Sequence, residues 1–287
     1  MGKIHQTFNL VSKDGTVLRG HFWKPNGYPV ATICLVHGIG EHAGRYDHWA
    51  RRFCQQGIMV YALDYRGHGA SEGKRGHVNS MTELMDDLGV LVRRCKRNWG
   101  EIPGFIYGHS MGGNLVLNYL NVRRQDFTGG IISSPWLKLV HPPKPIWQKL
   151  GQWLDGLIPG WVLSTGIKSS QMTSVLSERE ETDKDSLMHG RISIRLFNEV
   201  NRSSQRLLGD QVHIHIPLLL FHGERDPITH MEGSARFFEN HKDICTFHTY
   251  ADALHELHRE PMADEVFKDI MDWVKAQLGA KKQIATD

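Results

Sequence analysis

Apolar residues occur along this chain in short runs, and segments of helical periodicity separate these runs. The predicted strands are residues 6–12, 16–23, 30–36, 58–63, 102–107, 130–133, 216–221 and 244–249. Several are continuous apolar runs, which are typical of parallel strands covered on both faces. Because helical segments lie between them, the pattern predicts an α/β fold with a mostly parallel, doubly wound sheet of about eight strands.

The first two predicted strands differ from the others because apolar and polar residues alternate along them. Alternation indicates a strand with one exposed face. The residues between these two strands, Lys13-Asp14-Gly15, are typical of a hairpin turn. We therefore expect antiparallel strands at one edge of the sheet.

The strand–helix rhythm stops between residues 135 and 205. Four of the eight tryptophans lie between positions 136 and 161. One apolar stripe at helical spacing consists of Ile146, Trp147, Leu150, Trp153, Leu154, Leu157 and Ile158. Either this stripe docks the segment onto the core, or it belongs to a lid over an apolar tunnel. The predicted domains are a core in two parts, residues 1–135 and 206–287, and a helical cap or lid insertion, residues 136–205.

Composition and charge limit the classes of function. With 287 residues and 40% hydrophobic content, the chain can bury one large core. Its 34 basic and 31 acidic residues are mixed along the chain, so nucleic acid is not an expected partner. No apolar window approaches the roughly 20 residues of a membrane span, and residues 1–6 lack the apolar region of a signal peptide. We expect a cytoplasmic protein whose contact with membranes is at most peripheral.

The cysteines and histidines do not indicate a metal site. Cys34, Cys54, Cys95 and Cys245 are widely spaced and lie in predicted strands or helices, which is typical of reduced core residues. The 18 histidines include no H-E-x-x-H pair. We expect neither a metal nor a cofactor.

The most informative motif is Gly108-His109-Ser110-Met111-Gly112, which joins the apolar run at 105–107 to an amphipathic helix pattern. A serine in this setting is a nucleophile elbow, in which the tight turn strains the serine backbone and the glycines prevent Cβ clashes. The N–H of Met111 then lies at the start of the helix, where it can bind an oxyanion. The alternative is an ordinary strand–turn–helix junction with an uninvolved serine.

A nucleophilic serine needs an acid and a base, and on this scaffold both follow later strands. Asp226 comes after the strand at 216–221 and would orient the histidine. His255 comes after the strand at 244–249 and would act as general base and then as general acid. The rivals are Glu224 or Asp252 for the acid, and His258, His248 or His222 for the base.

The second oxyanion donor is expected in the loop after the strand at 30–36. His37-Gly38-Ile39-Gly40 supplies a flexible backbone there, and the N–H of Ile39 is the candidate. Together with Met111, Ile39 would bind the negative oxygen of a tetrahedral intermediate.

These stretches resemble the α/β-hydrolases of the monoacylglycerol lipase and lysophospholipase group, the serine aminopeptidase S33 or Hydrolase-4 type. The matching segments are residues 37–46, 64–73 and 108–113, together with the loops that contain Asp226 and His255. The resemblance implies an α/β-hydrolase fold with a helical cap. It also implies that the polar end, which receives a glycerol head group, is lined by Glu41, Arg45 and His258.

The resulting hypothesis is a serine hydrolase that cleaves carboxylic esters of monoacylglycerols or lysophospholipids through an acyl-enzyme, without a cofactor. Trp147 and Trp153 are expected to contact the acyl chain. The cap is expected to touch, transiently, the membrane or micelle that holds the substrate. The alternatives are an aminopeptidase or amidase in which Glu41 binds a substrate amino group, a small-ester carboxylesterase, and a catalytically silent ligand-binding homologue.

Overall fold

The computed structural model describes residues 4–123, 127–209 and 212–284. The strands are β1 His5–Val11, β2 Val17–Trp23, β3 Ala31–Val36, β4 Ile58–Asp64, β5 Gly104–His109, β6 Gly129–Ser133, β7 Val162–Ser164, β8 Arg191–Ser193, β9 Leu218–Gly223 and β10 Cys245–Tyr250. The helices are α1 Asp47–Gln55, α2 Met81–Trp99, α3 Met111–Val122, α4 Pro145–Asp155, α5 Ser169–Met172, α6 Leu176–Lys184, α7 Ile194–Leu207, α8 Met231–Asn240 and α9 Ala263–Ile284.

Eight of these strands form one sheet in the order β1-β2-β4-β3-β5-β6-β9-β10. The pairs β1–β2 and β2–β4 are antiparallel, and the remaining neighbours are parallel. This arrangement confirms the predicted fold class and the antiparallel edge. The chain adds β4 on one side of β3 and β5 on the other, so the strand order reverses at β3. Loops at such a switch point form a crevice at the carboxyl ends of the strands.

Helices cover the sheet on both faces because its central strands are buried throughout. On one face, α1 and α9 pack against the sheet through side chains such as Trp49, Phe53 and Ile270. On the other face, α2, α3, α7 and α8 contribute side chains that include Leu88 and Val200. Burial of each such side chain stabilises the fold by about 1.5–3 kcal/mol.

The segment predicted as the cap contains α4, β7, α5, α6, β8 and α7. The predicted boundary at residue 205 falls inside α7, which is anchored on the core helix α3. Asn114 donates a 2.9 Å hydrogen bond to the hydroxyl of Ser204, and Asn118 donates one of the same length to Ser203. The helix α7 therefore belongs with the core as much as with the cap. The short antiparallel pair β7–β8 is an element that the apolar pattern did not indicate, because its strands are three residues long and partly exposed.

The predicted apolar stripe lies on α4 and the turn after it, and most of its side chains are exposed. Of the α4 residues, Asp155 alone is buried. A stripe that docked the segment onto the core would be covered, so the exposure favours the lid alternative. Among the described residues, no helix is both long enough and apolar enough to cross a membrane.

Trp153 and Trp49 provide a matched test of which tryptophans stabilise the fold. Trp153 on α4 is 64% exposed, whereas Trp49 on α1 is 0% exposed. Trp153→Ser should change the free energy of unfolding by less than about 0.5 kcal/mol, because an exposed side chain loses few contacts. Trp49→Ser should lose at least about 3 kcal/mol. Urea denaturation measures both; a loss above about 2 kcal/mol in Trp153→Ser would mean that α4 docks through this side chain.

Candidate active site

Ser110 occupies a tight turn between the end of β5 and the start of α3. Its backbone φ is 54° with ψ −119°, a conformation that non-glycine residues rarely adopt. A Cβ at Gly108 would lie 2.5 Å from the carbonyl oxygen of Gly112, and a Cβ at Gly112 would lie 2.3 Å from the carbonyl oxygen of Val36. Only glycine fits at either position, so the turn has the geometry of a nucleophile elbow.

The strained turn is held by backbone hydrogen bonds from several elements. The N–H of Ser110 donates to the carbonyl of Ser133 at the end of β6, and its carbonyl accepts from Trp136 and Asn114, all at 2.9–3.1 Å. These bonds fix the serine above the sheet at the N-terminus of α3. The N–H of Met111, the first residue of that helix, lies next to it without an intrahelical partner.

Asp226 and His255 form a buried pair. The Nδ1 of His255 donates to Oδ2 of Asp226 at 2.6 Å. The other oxygen of Asp226 accepts from the N–H groups of Ile228 and Thr229, at 2.8 and 3.0 Å, and the Thr229 hydroxyl donates to Oδ2 at 2.7 Å. These hydrogen bonds hold the Asp226 carboxylate in its orientation toward His255.

The two charges stabilise each other against the cost of burial. Burial alone would raise the pKa of Asp226, but the charge of His255 and the hydrogen bonds from His222 and His255 lower this pKa well below its ordinary value. Burial alone would lower the pKa of His255, but the Asp226 carboxylate outweighs it and raises the pKa above its ordinary value. The pair is thus arranged to stabilise an imidazolium.

The other two candidate acids, Asp252 and Glu224, are exposed. The side chain of Asp252 is 81% exposed and pairs with Arg225. Glu224 is also exposed, and its carboxylate accepts from the hydroxyl of Thr249. The carboxylate that the structure brings to His255 is that of Asp226.

The structure gives His222 and His248, two other candidate bases, different surroundings from His255. His222 is buried, with Nδ1 2.8 Å from the Ser234 hydroxyl, and its Nε2 lies 3.2 Å from Asp226. His222 therefore contacts the same carboxylate as His255. His248 is partly exposed, with Nδ1 3.6 Å from Asp269.

His258 is buried and does not line the polar pocket beside Ser110. Its ring is buried and stacks on Tyr46 with centroids 4.7 Å apart. Neither ring nitrogen has a hydrogen-bond partner in the part of the chain that the structure describes. Burial and then the nearby His109 lower the pKa of His258 well below its ordinary value, so the ring is neutral. His258 is not among the side chains that line the polar pocket, and its role at the head group stays a prediction.

Glu41 and Arg45 line a small polar pocket beside Ser110 and His255. Oε1 of Glu41 accepts from the N–H of Gly38 at 2.5 Å and from the hydroxyl of Tyr46 at 3.0 Å. This carboxylate therefore shapes the loop that contains Ile39. Burial first, and the neighbouring Glu256 as well, raise the pKa of Glu41 above its ordinary value, although Arg45 opposes this.

Two residues of this network, Glu256 and Thr182, were not indicated by the sequence. Arg45 donates 2.9 Å hydrogen bonds to both carboxylate oxygens of Glu256 and a third of the same length to the hydroxyl of Thr182. Thr182 is in α6, so the network connects the cap to the loop of His255. The only sequence signal for Glu256 is its position directly after His255, the candidate base.

The loop with Ile39 is held from both sides. The Tyr65 hydroxyl donates to the carbonyl of Gly38 at 2.8 Å, and the N–H of His189 in the cap donates to the carbonyl of Gly40 at 2.8 Å. Gly40 has a φ of 75°, and a Cβ there would lie 2.2 Å from the carbonyl oxygen of His189. The cap thus packs directly on this loop.

Two cavities meet at Ser110. The larger has a volume of about 730 Å³ and is lined mainly by apolar side chains of α4, β7 and α7, while the polar pocket holds about 20 Å³. Ile39, Ile167 and Ile228 line both cavities together with Ser110. An ester carbonyl at Ser110 could therefore place its acyl chain on one side and its alcohol on the other.

Trp147 lines the larger cavity, whereas Trp153 does not. Trp153 follows Trp147 by six positions, which rotates it about 240° around the helix. The structure therefore brings Trp147, but not Trp153, to the wall of this cavity. Across residues 4–123, 127–209 and 212–284, no group of three or more His, Cys, Asp or Glu side chains is arranged to hold a metal ion.

Comparison with known proteins finds the same family over most of the chain. The family model described as serine aminopeptidase, S33 matches residues 27–262. An uncharacterized abhydrolase domain-containing protein of Dictyostelium discoideum is 33% identical over 274 residues, which are 94% of this chain and 29% of that protein. A monoglyceride lipase of Rattus norvegicus is 32% identical over 280 residues, which are 94% of this chain and 90% of that protein.

A solved structure extends the similarity to three dimensions. The crystal structure of Paleococcus ferrophilus monoacylglycerol lipase has a TM-score of 0.78 and 32% sequence identity. The match covers 91% of this chain and 99% of that one.

The pairing of His255 with Asp226 predicts how activity depends on pH. Only neutral imidazole accepts a proton, so kcat/KM should fall as the pH drops through the pKa of His255. Since this pKa is raised from its ordinary value of 6.5, the inflection should lie above 6.5. Asp226→Asn should lower kcat about 10⁴-fold and move the inflection to lower pH. An inflection that stays in place in Asp226→Asn would contradict the pairing.

Proposed function

The chain belongs to the serine aminopeptidase S33 family of α/β-hydrolases and is an ester hydrolase, and we propose that it cleaves monoacylglycerols or lysophospholipids through an acyl-enzyme. The observation that carries the proposal is the meeting of a large apolar cavity and a small polar pocket at Ser110. A lipid ester with one acyl chain and a polar alcohol has the same two-sided chemistry.

In the proposed mechanism, Ser110 attacks the ester carbonyl while His255 accepts its proton. The developing oxyanion is received by the N–H groups of Ile39 and Met111. The imidazolium, stabilised by Asp226, then protonates the leaving alcohol in the polar pocket. Water takes the place of that alcohol, and His255 activates it to release the fatty acid.

The apolar cavity supports a long acyl chain as the acid component. Each methylene that leaves water for such a cavity contributes about 0.8 kcal/mol. A site selective for small esters would not need about 730 Å³ of mainly apolar space, so the size of this cavity favours a lipid ester over a small-ester carboxylesterase.

The polar pocket supports an alcohol rather than an amine as the leaving group. A substrate amino group would need an unpaired carboxylate, and Glu41 was the candidate. Its Oε1 already accepts two hydrogen bonds, and its Oε2 lies 3.5 Å from Arg45. Since the carboxylate is occupied in this way, the aminopeptidase alternative is disfavoured. The intact pair of His255 and Asp226 likewise argues against a catalytically silent homologue.

The exposed face of α4 supports a transient contact between the cap and the membrane or micelle that holds the substrate. Ile146, Trp147 and Trp153 on α4, and Leu157 just after it, are each more than half exposed. Tryptophan is favoured at membrane–water interfaces, where its ring is partly apolar and partly polar. Because Trp147 also lines the acyl cavity, the same face would lead from the lipid surface to Ser110.

The nucleophile is tested by Ser110→Ala. Loss of a triad serine typically reduces kcat by about six orders of magnitude, so the variant should be folded but inactive toward 1-monooleoylglycerol. A fluorophosphonate probe should label the wild type at one site, identified by peptide mass, and should not label the variant. Activity within tenfold of the wild type, or labelling of another residue, would overturn the assignment of Ser110.

Variants of Trp147 and Trp153 distinguish acyl binding from binding to the lipid surface. Trp147→Ser should lower kcat/KM for monomeric long-chain esters about tenfold or more relative to butyrate esters, because it removes a wall of the acyl cavity. Trp153→Ser should leave that chain-length ratio unchanged, yet it should reduce the rate on substrate presented in vesicles. Should both variants show the same chain-length ratio as the wild type, the cavity under α4 would not be the acyl site.

A further inference from the structure

The polar pocket leaves little free space for the alcohol that it is proposed to receive. Its volume is about 20 Å³, and one water already needs about 10–15 Å³. A glycerol head group is several times larger than a water. A head group that exceeds the free space would have to displace part of the wall.

The catalytic and charged walls are fixed. His255 is bound to Asp226, and Glu41, Arg45 and Glu256 hold one another in a buried network. Moving any of these groups would break charge-assisted hydrogen bonds in a water-poor site, which is costly. The isoleucines of the wall are β-branched and therefore stiff at χ1.

Met172 and Met188, both from the cap, are the flexible part of the wall. Their backbones are fixed, because the carbonyl of Met172 accepts from the N–H of Glu256 at 2.7 Å and the N–H of Met188 donates to Asp185 at 3.2 Å. Their side chains are only partly buried. A methionine side chain has three rotatable bonds and adapts its shape at low cost.

We propose that Met172 and Met188 are specificity-determining residues, whose side chains set which head groups the polar pocket accepts. The inference rests on the proposed function, since it assumes that the alcohol of a lipid ester leaves through this pocket. By swinging aside, the two thioethers admit a neutral glycerol. The same two side chains limit the size of the head group that the pocket can accept.

Met188 has a second effect because its sulfur covers a positive charge. The Sδ atom lies 3.6 Å from Nη1 of Arg45. Guanidinium groups bind phosphate strongly, and Nη1 of Arg45 could offer a phosphate the N–H that faces Met188 while both Nη atoms keep their hydrogen bonds to Glu256. With Met188 in place, Arg45 faces sulfur and carboxylates, so the pocket favours an uncharged head group over a phosphate-bearing one.

The test compares three esters with the same oleoyl chain: methyl oleate, 1-monooleoylglycerol and oleoyl-lysophosphatidylcholine, all in the same detergent micelles. The common chain keeps the apolar cavity constant, and methanol is small enough for the unaltered pocket. Met188→Ala should raise kcat/KM for the lysophospholipid relative to methyl oleate about tenfold or more. Met172→Ala should raise this ratio by less, because it does not uncover Arg45.

Met188→Leu is the matched control, since it keeps the apolar bulk over Arg45 and should not raise the ratio by more than about twofold over the wild type. If Met188→Ala and Met172→Ala both leave the ratio within that range while melting temperatures stay unchanged, the inference is overturned and the proposed function stands. A folded wild type that cleaves none of the three esters would overturn both. Met172→Ala keeps the test decisive even if Met188→Ala fails to fold.

Discussion

The buried ion pair between Arg45 and Glu256 connects the parts of the molecule that must act together. Arg45 follows the loop of Ile39, Glu256 directly follows His255, and Thr182, which accepts from the same guanidinium, belongs to the cap. Removing one partner of such a pair typically costs about 3–5 kcal/mol, because the other charge stays buried. The positions of His255 and of the loop that contains Ile39 therefore depend on a cap that is packed in place.

This network also divides the site into two chemically different halves. On one side of Ser110, charged groups that are paired with one another form a small polar pocket. On the other side, α4, β7 and α7 form an apolar cavity of about 730 Å³. The contrast exists because one part of the cap, α6, docks through polar groups, whereas another part, α4, leaves its apolar face open. An ester that bridged the two halves would place its carbonyl at Ser110.

Local sequence patterns predicted the parts of the site that lie beside strand ends. Ser110, Asp226 and His255 each follow a parallel strand, so the order of the strands alone brings their loops to one edge of the sheet. The antiparallel edge was likewise predictable, since alternation and a turn signal are both local. The boundary of the cap was not predictable in this way, because α7 continues the chain of the cap and also packs on the core helix α3.

The remaining features depend on contacts between distant positions. Arg45 and Glu256 are 211 positions apart, and no periodicity or spacing could have paired them. His258 lies three positions from His255, yet it is not among the side chains that line the pocket. Trp153 shares an apolar stripe with Trp147 in the sequence, but the rotation of the helix places it outside the cavity.

The central claim is that the acyl chain and the alcohol of one ester occupy opposite sides of Ser110. A crystal structure of the enzyme inactivated with a hexadecyl fluorophosphonate tests it most directly. The account predicts phosphorus bonded to Oγ of Ser110, the phosphonyl oxygen at the N–H groups of Ile39 and Met111, and the alkyl chain in the cavity beneath α4. An alkyl chain that enters the polar pocket beside Glu41, or phosphorus bonded to another residue, would contradict it.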